Sequence, residues 1–208
     1  MAYFPGSIWI TWPVKGTETP ASVVTKSFTI KAETVKNLYE SKDDRRNEYF
    51  YKLDSMSHDT MYKVNQGYAY VYKWRDVVYE DVSWSPTPQV AYIDVNYCYW
   101  RLADIYLMKA EALVEIGTDL QGALDLVSKT FDRANPDLGS GSLSISNYNT
   151  QSAMRNLVFD ERQREFLFEG KRYFDLLRRI RREDGKPANV VNAYLLKKYS
   201  KLDNTTTK

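Results

Sequence analysis

The chain has 208 residues, of which 43% are hydrophobic and 27% charged, as in an ordinary folded globular protein. Its 29 basic and 27 acidic residues leave a net charge of +2, which excludes the broad basic surface typical of nucleic-acid binding. With one cysteine, Cys98, and one histidine, His58, an intrachain disulfide and a cysteine-based metal site are excluded. Catalysis by a Ser-His or Cys-His pair has no support either, and we expect no metal and no cofactor.

The N-terminal residues, MAYFPGSIWI, do not have the pattern of a signal peptide, because they lack a basic start, a long apolar core and a cleavage site. No segment approaches the roughly 20 consecutive apolar residues that a membrane helix needs. We therefore expect the chain to be a fragment of a longer protein.

Residues 1–96 are predicted to form a loop-rich part, because proline and glycine interrupt them repeatedly. Within this part, a short helix is predicted at residues 34–39. The alternation of aromatic and small residues at 67–72 favours a strand. The charged run at residues 43–46 is interpreted as a solvent-exposed turn.

Residues 97–182 have helical periodicity instead. Between residues 100 and 116, apolar side chains recur at the spacing of one helix face; they are Ala103, Tyr106, Leu107, Ala110, Leu113 and Val114. Gly117 stands where a C-terminal glycine belongs, and Asp119 is placed to cap a second helix over residues 120–134. Helices joined by so short a connection pack antiparallel.

A linker rich in Gly, Ser and Asn at residues 137–150 precedes two further predicted helices, at 152–169 and 171–182, with Gly170 between them. The predicted fold is mainly α. It consists of stacked tetratricopeptide-like helical hairpins with irregular aromatic-rich loops and little strand. Residues 97–208 would form the helical-hairpin part and, together with residues 1–96, a fragment of one domain.

Two glutamates four residues apart, Glu161 and Glu165, form the candidate catalytic pair, because many glycosidases use two carboxylates as acid and base. Arginines lie close to them in the sequence, and a carboxylate with guanidinium partners keeps a low pKa and is a poor general acid. We therefore interpret Glu161, Glu165, Arg172 and Arg101 as structural ion-pair residues.

Three segments, in a fixed order, resemble the SusD/RagB family of nutrient-binding proteins. They are RLADIYLMKAEALVEIG at residues 101–117, ALDLVSKTFDRAN at residues 123–135 and DERQREFLFEGKRYFDLLRR at residues 160–179. The first segment matches the family pattern at positions that include Asp104 and Glu111. The third segment matches it at Glu161, Arg162, Glu165, Glu169, Gly170, Arg172, Asp175, Leu176 and Arg178.

This resemblance implies a non-catalytic lipoprotein on the outward face of the outer membrane, which binds oligo- or polysaccharides and passes them to a TonB-dependent, SusC-like porin. The membrane would be contacted only through an N-terminal lipid anchor that this chain does not carry, and no nucleic acid would be bound. In the family the helical hairpins dock the porin and the irregular region holds the glycan, which here would be residues 1–96. Family members are much longer, and this again implies a fragment.

Sugar binding is expected to depend on aromatic rings, since the apolar C–H faces of pyranose rings stack on them. Trp84 is the first candidate, because it lies among serines and prolines where periodic packing does not bury it. Trp9 and Trp12, beside Pro13, come next, and Tyr92 is a further candidate. The alternative for Trp84 is a hydrophobic plug that pins its loop.

Two other classes of function stay open at this point. One is a helical-repeat scaffold that binds proteins and has no glycan affinity. The other is a glycoside hydrolase that uses Glu161 and Glu165.

Overall fold

The computed structural model describes residues 30–50, 53, 68–69, 73, 77–81, 83–84, 89–93 and 98–182. Helices dominate this part of the chain and strands are short, so the fold is mainly α, as the sequence predicts. The chain divides into two compact units. One comprises the described residues up to Arg101 together with Ser128–Leu143, and the other comprises Leu102–Val127 and the described residues from Ser144 onward.

Short elements form the first part of the chain. Strand β1 (Ile30–Lys31) leads into helix α1 (Ala32–Leu38) and pairs antiparallel with β2 (Tyr68–Ala69). Helix α2 spans Arg45–Tyr49. The helix predicted at residues 34–39 is therefore present but begins earlier. The strand predicted at 67–72 is present at β2, and its other residues lie outside the described ones.

An antiparallel hairpin follows, formed by β3 (Val77–Glu80) and β4 (Gln89–Ile93). Its register shifts between Val78 and Tyr79, which marks a β-bulge. The loop between the two strands contains Trp84.

Four longer helices follow in the chain. They are α3 (Leu102–Ile116), α4 (Leu120–Ala134), α5 (Gln151–Glu165) and α6 (Arg172–Arg182). Short 3-10 helices occur in the α4–α5 connection at Pro136–Leu138 and Ile145–Asn147.

The predicted signals that separate α3 from α4 are confirmed. Helix α3 ends at Gly117, whose φ of +79° lies in the left-handed region that glycine adopts without strain. The Asp119 carboxylate accepts a hydrogen bond of 2.8 Å from the backbone N–H of Gly122 and so caps α4.

Helix α5 is shorter than predicted. The Thr150 hydroxyl accepts a hydrogen bond of 3.2 Å from the Ala153 N–H at its start, but the helix ends at Glu165, four residues before the predicted end. Phe168 adopts a left-handed φ of +67°, and Gly170 has a φ of +72°. Because left-handed backbone costs an ordinary residue roughly 1–2 kcal/mol, the sequence does not predict such a turn at a phenylalanine.

The charged run at residues 43–46 was interpreted wrongly as a solvent-exposed turn. The side chains of Asp43 and Arg45 are almost completely buried. Arg45 donates hydrogen bonds of 2.7 Å and 2.9 Å to the Asp43 carboxylate, and Asn135 donates a longer one of 3.4 Å. These donors satisfy the buried carboxylate, which is why its burial is tolerated. Asn135 lies 92 residues along the chain, and nothing local in the sequence announces it.

Helix α5 packs against α3 in the antiparallel direction. The side-chain amide of Gln151, at the start of α5, donates a hydrogen bond of 2.7 Å to the Val114 carbonyl near the end of α3. Arg162, near the end of α5, lies 3.9 Å from Asp104 in the first turn of α3. Fully buried side chains fill the second unit, among them Leu107, Val114 and Met154.

Helix α6 returns antiparallel to α5, in the arrangement predicted for this pair. Arg172 at its start donates a hydrogen bond of 3.1 Å to the Phe159 carbonyl, and Arg179 near its end donates one of 2.6 Å to the Asn156 side chain. The stacking of hairpins into a tetratricopeptide-like array stays a prediction. Among the helices of the described residues, none is both long enough and apolar enough to cross a bilayer.

Candidate functional site

Trp84 lies in the loop of the β3–β4 hairpin, and 75% of the residue is exposed to solvent. A side chain this exposed is not packed as a hydrophobic plug. An indole offers a large flat apolar face and loses little rotamer entropy on binding, so its exposure on a loop leaves a ready surface for stacking.

The other aromatic candidates have different positions. Tyr92 is part of β4, where it lies opposite Val78 in the strand register, three residues from the end of the strand that meets the loop of Trp84. Trp9 and Trp12 lie outside the described residues. A role in glycan binding stays a prediction for all four aromatic candidates.

The candidate catalytic pair, Glu161 and Glu165, is completely buried in α5. Arg164 donates a hydrogen bond of 2.8 Å to a Glu161 carboxylate oxygen. General acid or base catalysis requires the carboxyl group within hydrogen-bond reach of the substrate. A polysaccharide chain does not reach side chains without accessible surface, and this arrangement disfavours glycosidic cleavage.

The two arginines predicted as their partners are placed differently. The Arg172 guanidinium lies over the Phe159 ring, 3.8 Å from its centroid, in addition to its bond to the Phe159 carbonyl. Arg101 is partly exposed and immediately precedes α3, in the first compact unit. The pairing of these arginines with Glu161 and Glu165 stays a prediction.

Ion pairs connect acidic side chains of α3 to Lys171, just before α6, and to basic side chains of α6, and sequence reasoning missed them as a set. We call them the ion-pair ladder; they are Lys171–Asp104 at 3.3 Å, Arg178–Glu111 at 3.0 Å and Arg182–Glu115 at 3.3 Å. Glu111 and Arg178 are 67 residues apart, and the other two pairs have the same separation. The two helices therefore run parallel. The three acidic residues follow one another at intervals of seven and then four residues, and so do their three basic partners. This spacing keeps each set on one helix face, and it is the signal in the sequence.

Arg162 of α5 lies among the same acidic side chains and is almost completely buried. Its Nε donates a hydrogen bond of 2.9 Å to Asp175, and its guanidinium lies 3.9 Å from Asp104 and 4.0 Å from Glu111. Burying a charge is costly unless it is paired, so Arg162 has to keep these contacts in the folded protein. Because its partners are on α3 and α6, the contacts fix α3, α5 and α6 relative to one another.

A small cleft, partly open to solvent, lies between α3, α5 and α6. Four of its five arginines bind its own carboxylates, and the fifth, Arg179, donates a hydrogen bond to Asn156. Arg155 donates hydrogen bonds of 2.8 Å and 3.0 Å to Glu115, and Arg182 contacts both Glu111 and Glu115. The five arginines of the lining outnumber its three carboxylates, so the cleft has an excess of positive charge. In the described part of the chain, no group of three or more His, Cys, Asp or Glu side chains is arranged to hold a metal ion.

The pKa shifts of two carboxyl groups follow from these surroundings. Burial works to raise the pKa of Glu111, but its hydrogen bonds to and attraction by Arg178 and Arg182 outweigh burial and hold the pKa below its ordinary value. Burial raises the pKa of Asp160 against the opposing charge of nearby arginines. Glu111 is therefore kept ionised, which suits a structural ion pair better than a proton donor.

Comparison with known proteins gives the family. A model of the SusD family matches residues 9–207 of the chain. The chain belongs to the SusD family. All three segments that carry the resemblance in the sequence lie within this match.

Two curated SusD-family relatives come from Formosa agariphila (strain DSM 15362). SusD-like protein P2 is 41% identical over 86 residues, which are 40% of this chain and 17% of that relative. SusD-like protein P38 is 36% identical over 87 residues, which are 41% of this chain and 17% of that relative. The chain therefore aligns with about a sixth of the length of each relative. No solved structure matches it significantly.

The ion-pair ladder gives a physical role to the family's sequence pattern in this SusD-family protein. Asp104 and Glu111 belong to the segment at residues 101–117, and their partners Lys171 and Arg178 belong to the segment at 160–179. These charged positions bind one another, and they hold α3 and α6 in register. They are part of the architecture.

Proposed function

We propose that this SusD-family protein binds glycans on the outward face of the outer membrane and passes them, uncleaved, to a TonB-dependent, SusC-like porin. The observation that carries the proposal is the family match over residues 9–207. The exposed Trp84 supports it as a place for a sugar ring to stack.

The two parts of the chain have different tasks in this proposal. The charged side chains of the second unit bind one another across α3, α5 and α6, so their chemistry is used within the protein. The irregular residues 1–96 hold the glycan, with Trp84, Tyr92, Trp9 and Trp12 as the contacts. Stacking on aromatic rings needs no charged group and leaves glycosidic bonds intact.

The burial of Glu161 and Glu165 supports a role without catalysis. A retaining or inverting glycosidase needs both carboxyl groups beside the bond that it cleaves. Their burial therefore disfavours the alternative of a hydrolase that uses Glu161 and Glu165. A protein scaffold without glycan affinity is the remaining alternative, and the family match supports glycan binding over it.

A polysaccharide panel tests the proposal. The 208-residue protein is run through native gels cast with neutral and acidic plant, algal and bacterial polysaccharides, and retardation is measured against a gel without polysaccharide. A reducing-sugar assay runs alongside on the same polysaccharides. The proposal predicts retardation by at least one polysaccharide with no release of reducing ends. Absence of retardation across the panel contradicts glycan binding, and release of reducing ends contradicts the non-catalytic role.

A further inference from the structure

Three polar side chains from three helices meet in the interior of the second unit. They are Asp104 of α3, Arg162 of α5 and Asp175 of α6, and they are 1%, 4% and 3% exposed. Arg162 contacts both carboxylates, because it donates a hydrogen bond of 2.9 Å to Asp175 and lies 3.9 Å from Asp104. We call these three side chains the polar junction.

The polar junction has hydrogen-bonding capacity that its neighbours do not use. Both carboxylate oxygens of Asp104, the Oδ2 of Asp175 and the Nη1 of Arg162 are buried and have no hydrogen-bond partner among the described residues. The Lys171 ammonium lies 3.3 Å from the Oδ2 of Asp104, where it balances charge without hydrogen-bond geometry. Buried polar groups are normally hydrogen-bonded, because leaving one without a partner is costly.

The distance between Arg162 and Asp104 indicates how the polar junction is completed. At 3.9 Å, the Nη2 of Arg162 is too far from the Oδ1 of Asp104 for a direct hydrogen bond, whose length is about 2.7–3.2 Å. Polar groups separated in this way are commonly bridged by a molecule that bonds to both. Arg162 and Asp175 also line the small cleft between α3, α5 and α6, so the polar junction is within reach of solvent.

The atoms without partners define the chemistry of the bridging molecule. Three of the four are carboxylate oxygens, which only accept hydrogen bonds, and the fourth is a guanidinium nitrogen, which only donates. The molecule therefore has to donate hydrogen bonds to carboxylates and accept one from Arg162. A halide ion donates none and is repelled by the carboxylates, so it does not fit.

A metal ion does not fit either. Three carboxylates lie within 4.0 Å of Arg162, and they are those of Asp104, Glu111 and Asp175. They face at least as many cations, which are Arg162, Lys171, Arg178 and Arg182. This cluster of described side chains therefore has no excess of negative charge to attract a metal cation. Since the polar junction is almost completely buried, its ligand is also no larger than a water molecule.

We propose that the polar junction binds an ordered water molecule, which joins α3, α5 and α6. The water accepts a hydrogen bond from the Arg162 guanidinium and donates hydrogen bonds to Asp104 and Asp175. A buried water that makes about three such bonds is a regular component of protein interiors. It completes the contacts of Arg162, which its direct ion pairs leave incomplete.

A crystal structure of the whole 208-residue protein tests this directly, at a resolution that shows ordered water. One density peak is expected within about 2.6–3.2 Å of Asp104, Arg162 and Asp175. The absence of a peak overturns the proposal. A peak bound only by carboxylate oxygens at about 2.0–2.6 Å would be a metal ion, and this result also overturns it. So does an anomalous signal at this position in crystals grown in bromide, since it would identify an anion.

A solution measurement on a variant tests the same water. Oxygen-17 relaxation dispersion counts the water molecules that stay bound for longer than the protein takes to tumble. Asp104→Leu removes two of the acceptors and is expected to lower this number by about one water per chain. Asp125→Leu is the matched control, because Asp125 is an exposed aspartate of α4, and it is expected to leave the number unchanged.

An unchanged number of bound waters in folded Asp104→Leu, or an equal fall in Asp125→Leu, contradicts the proposal. The crystal structure of the wild type decides alone if Asp104→Leu does not fold.

Discussion

Arg178 donates hydrogen bonds of 3.0 Å to both carboxylate oxygens of Glu111, and this fork-shaped ion pair ties α6 to α3. The same guanidinium donates one of 2.6 Å to Asp175 on its own helix. Arg182 contacts Glu111 from one turn further along α6. Glu111 is thus the acidic side chain on which the ion-pair ladder depends most.

Glu111→Gln is expected to lower the free energy of unfolding by about 1–2 kcal/mol, because charged hydrogen bonds are lost but Arg178 is screened by solvent. Urea denaturation measures the change. The control is Asp137→Asn, which breaks the Lys42–Asp137 pair at 3.1 Å, whose side chains are 72% and 60% exposed. Exposed pairs contribute little, so the control is expected to change stability by less than about 0.5 kcal/mol. Equal losses in the two variants would mean that the ladder is no stronger than a surface ion pair.

The ladder also predicts a pH dependence. Because the pKa of Glu111 is lower in the folded protein than in the unfolded chain, its contribution is fully present above the unfolded value of about 4.3. The contribution is lost as the pH falls through the lower pKa of the folded state. The stability advantage of the wild type over Glu111→Gln should therefore be constant near neutral pH and shrink in acid.

Asp160 provides the opposite sign for comparison. Its pKa is raised by burial, so its ionisation opposes folding above the folded-state pKa, and this penalty disappears below the unfolded value of about 3.9. Asp160→Asn should be relatively more stable near neutral pH than in acid. Urea titrations of both variants at a series of pH values check this, and the same trend in the two would refute the assignment.

The buried turn gives a further prediction. Asp43→Ala removes the carboxylate that binds the buried Arg45, and breaking a buried pair typically costs about 3–5 kcal/mol. Asp44→Ala is the control, since the neighbouring side chain is exposed, and surface substitutions usually change stability by less than about 0.5 kcal/mol. A small effect of Asp43→Ala in urea denaturation would show that the turn opens to water.

Glu165→Ala is expected to lower the melting temperature clearly. Removing a buried carboxylate leaves the buried groups that it contacts without their charged partner, at a cost of about 3–5 kcal/mol. Glycan affinity of the folded fraction should be unchanged, since Glu165 has no accessible surface. Glu33→Ala, at an exposed glutamate of α1, is the stability control. Reducing-end release by the wild type that disappears in Glu165→Gln would show catalysis instead.

Local signals predicted much of the helical part. Gly117 and Asp119 mark the end of α3 and the start of α4, because left-handed backbone and N-cap geometry favour particular residue types. The end of α5 was missed, since a left-handed phenylalanine at position 168 has no local signature. The resemblance to the SusD family rested on residue order and spacing, and the family match agrees with it.

Interactions between distant residues were harder to foresee. Asp43 and Arg45 look like surface charges until Asn135 is placed beside them. The spacing of the acids and bases of the ladder is present in the sequence but was missed, because pairing them requires knowing that α3 and α6 are parallel neighbours. The exposure of Trp84 was predictable, because it depends on the loop sequence around the indole and not on a residue that is distant in the sequence.

The polysaccharide affinity of Trp84→Ala, compared with Trp100→Ala, tests glycan binding by the β3–β4 loop most directly. Trp100 is a matched control because it is also exposed, at 67%, and loses the same indole. With a polysaccharide that retards the wild type, Trp84→Ala should bind at least about tenfold more weakly at an unchanged melting temperature, as expected for an aromatic hot spot, while Trp100→Ala should bind normally. Unchanged affinity in Trp84→Ala, an equal loss in Trp100→Ala, or a fall in melting temperature together with affinity would contradict the account.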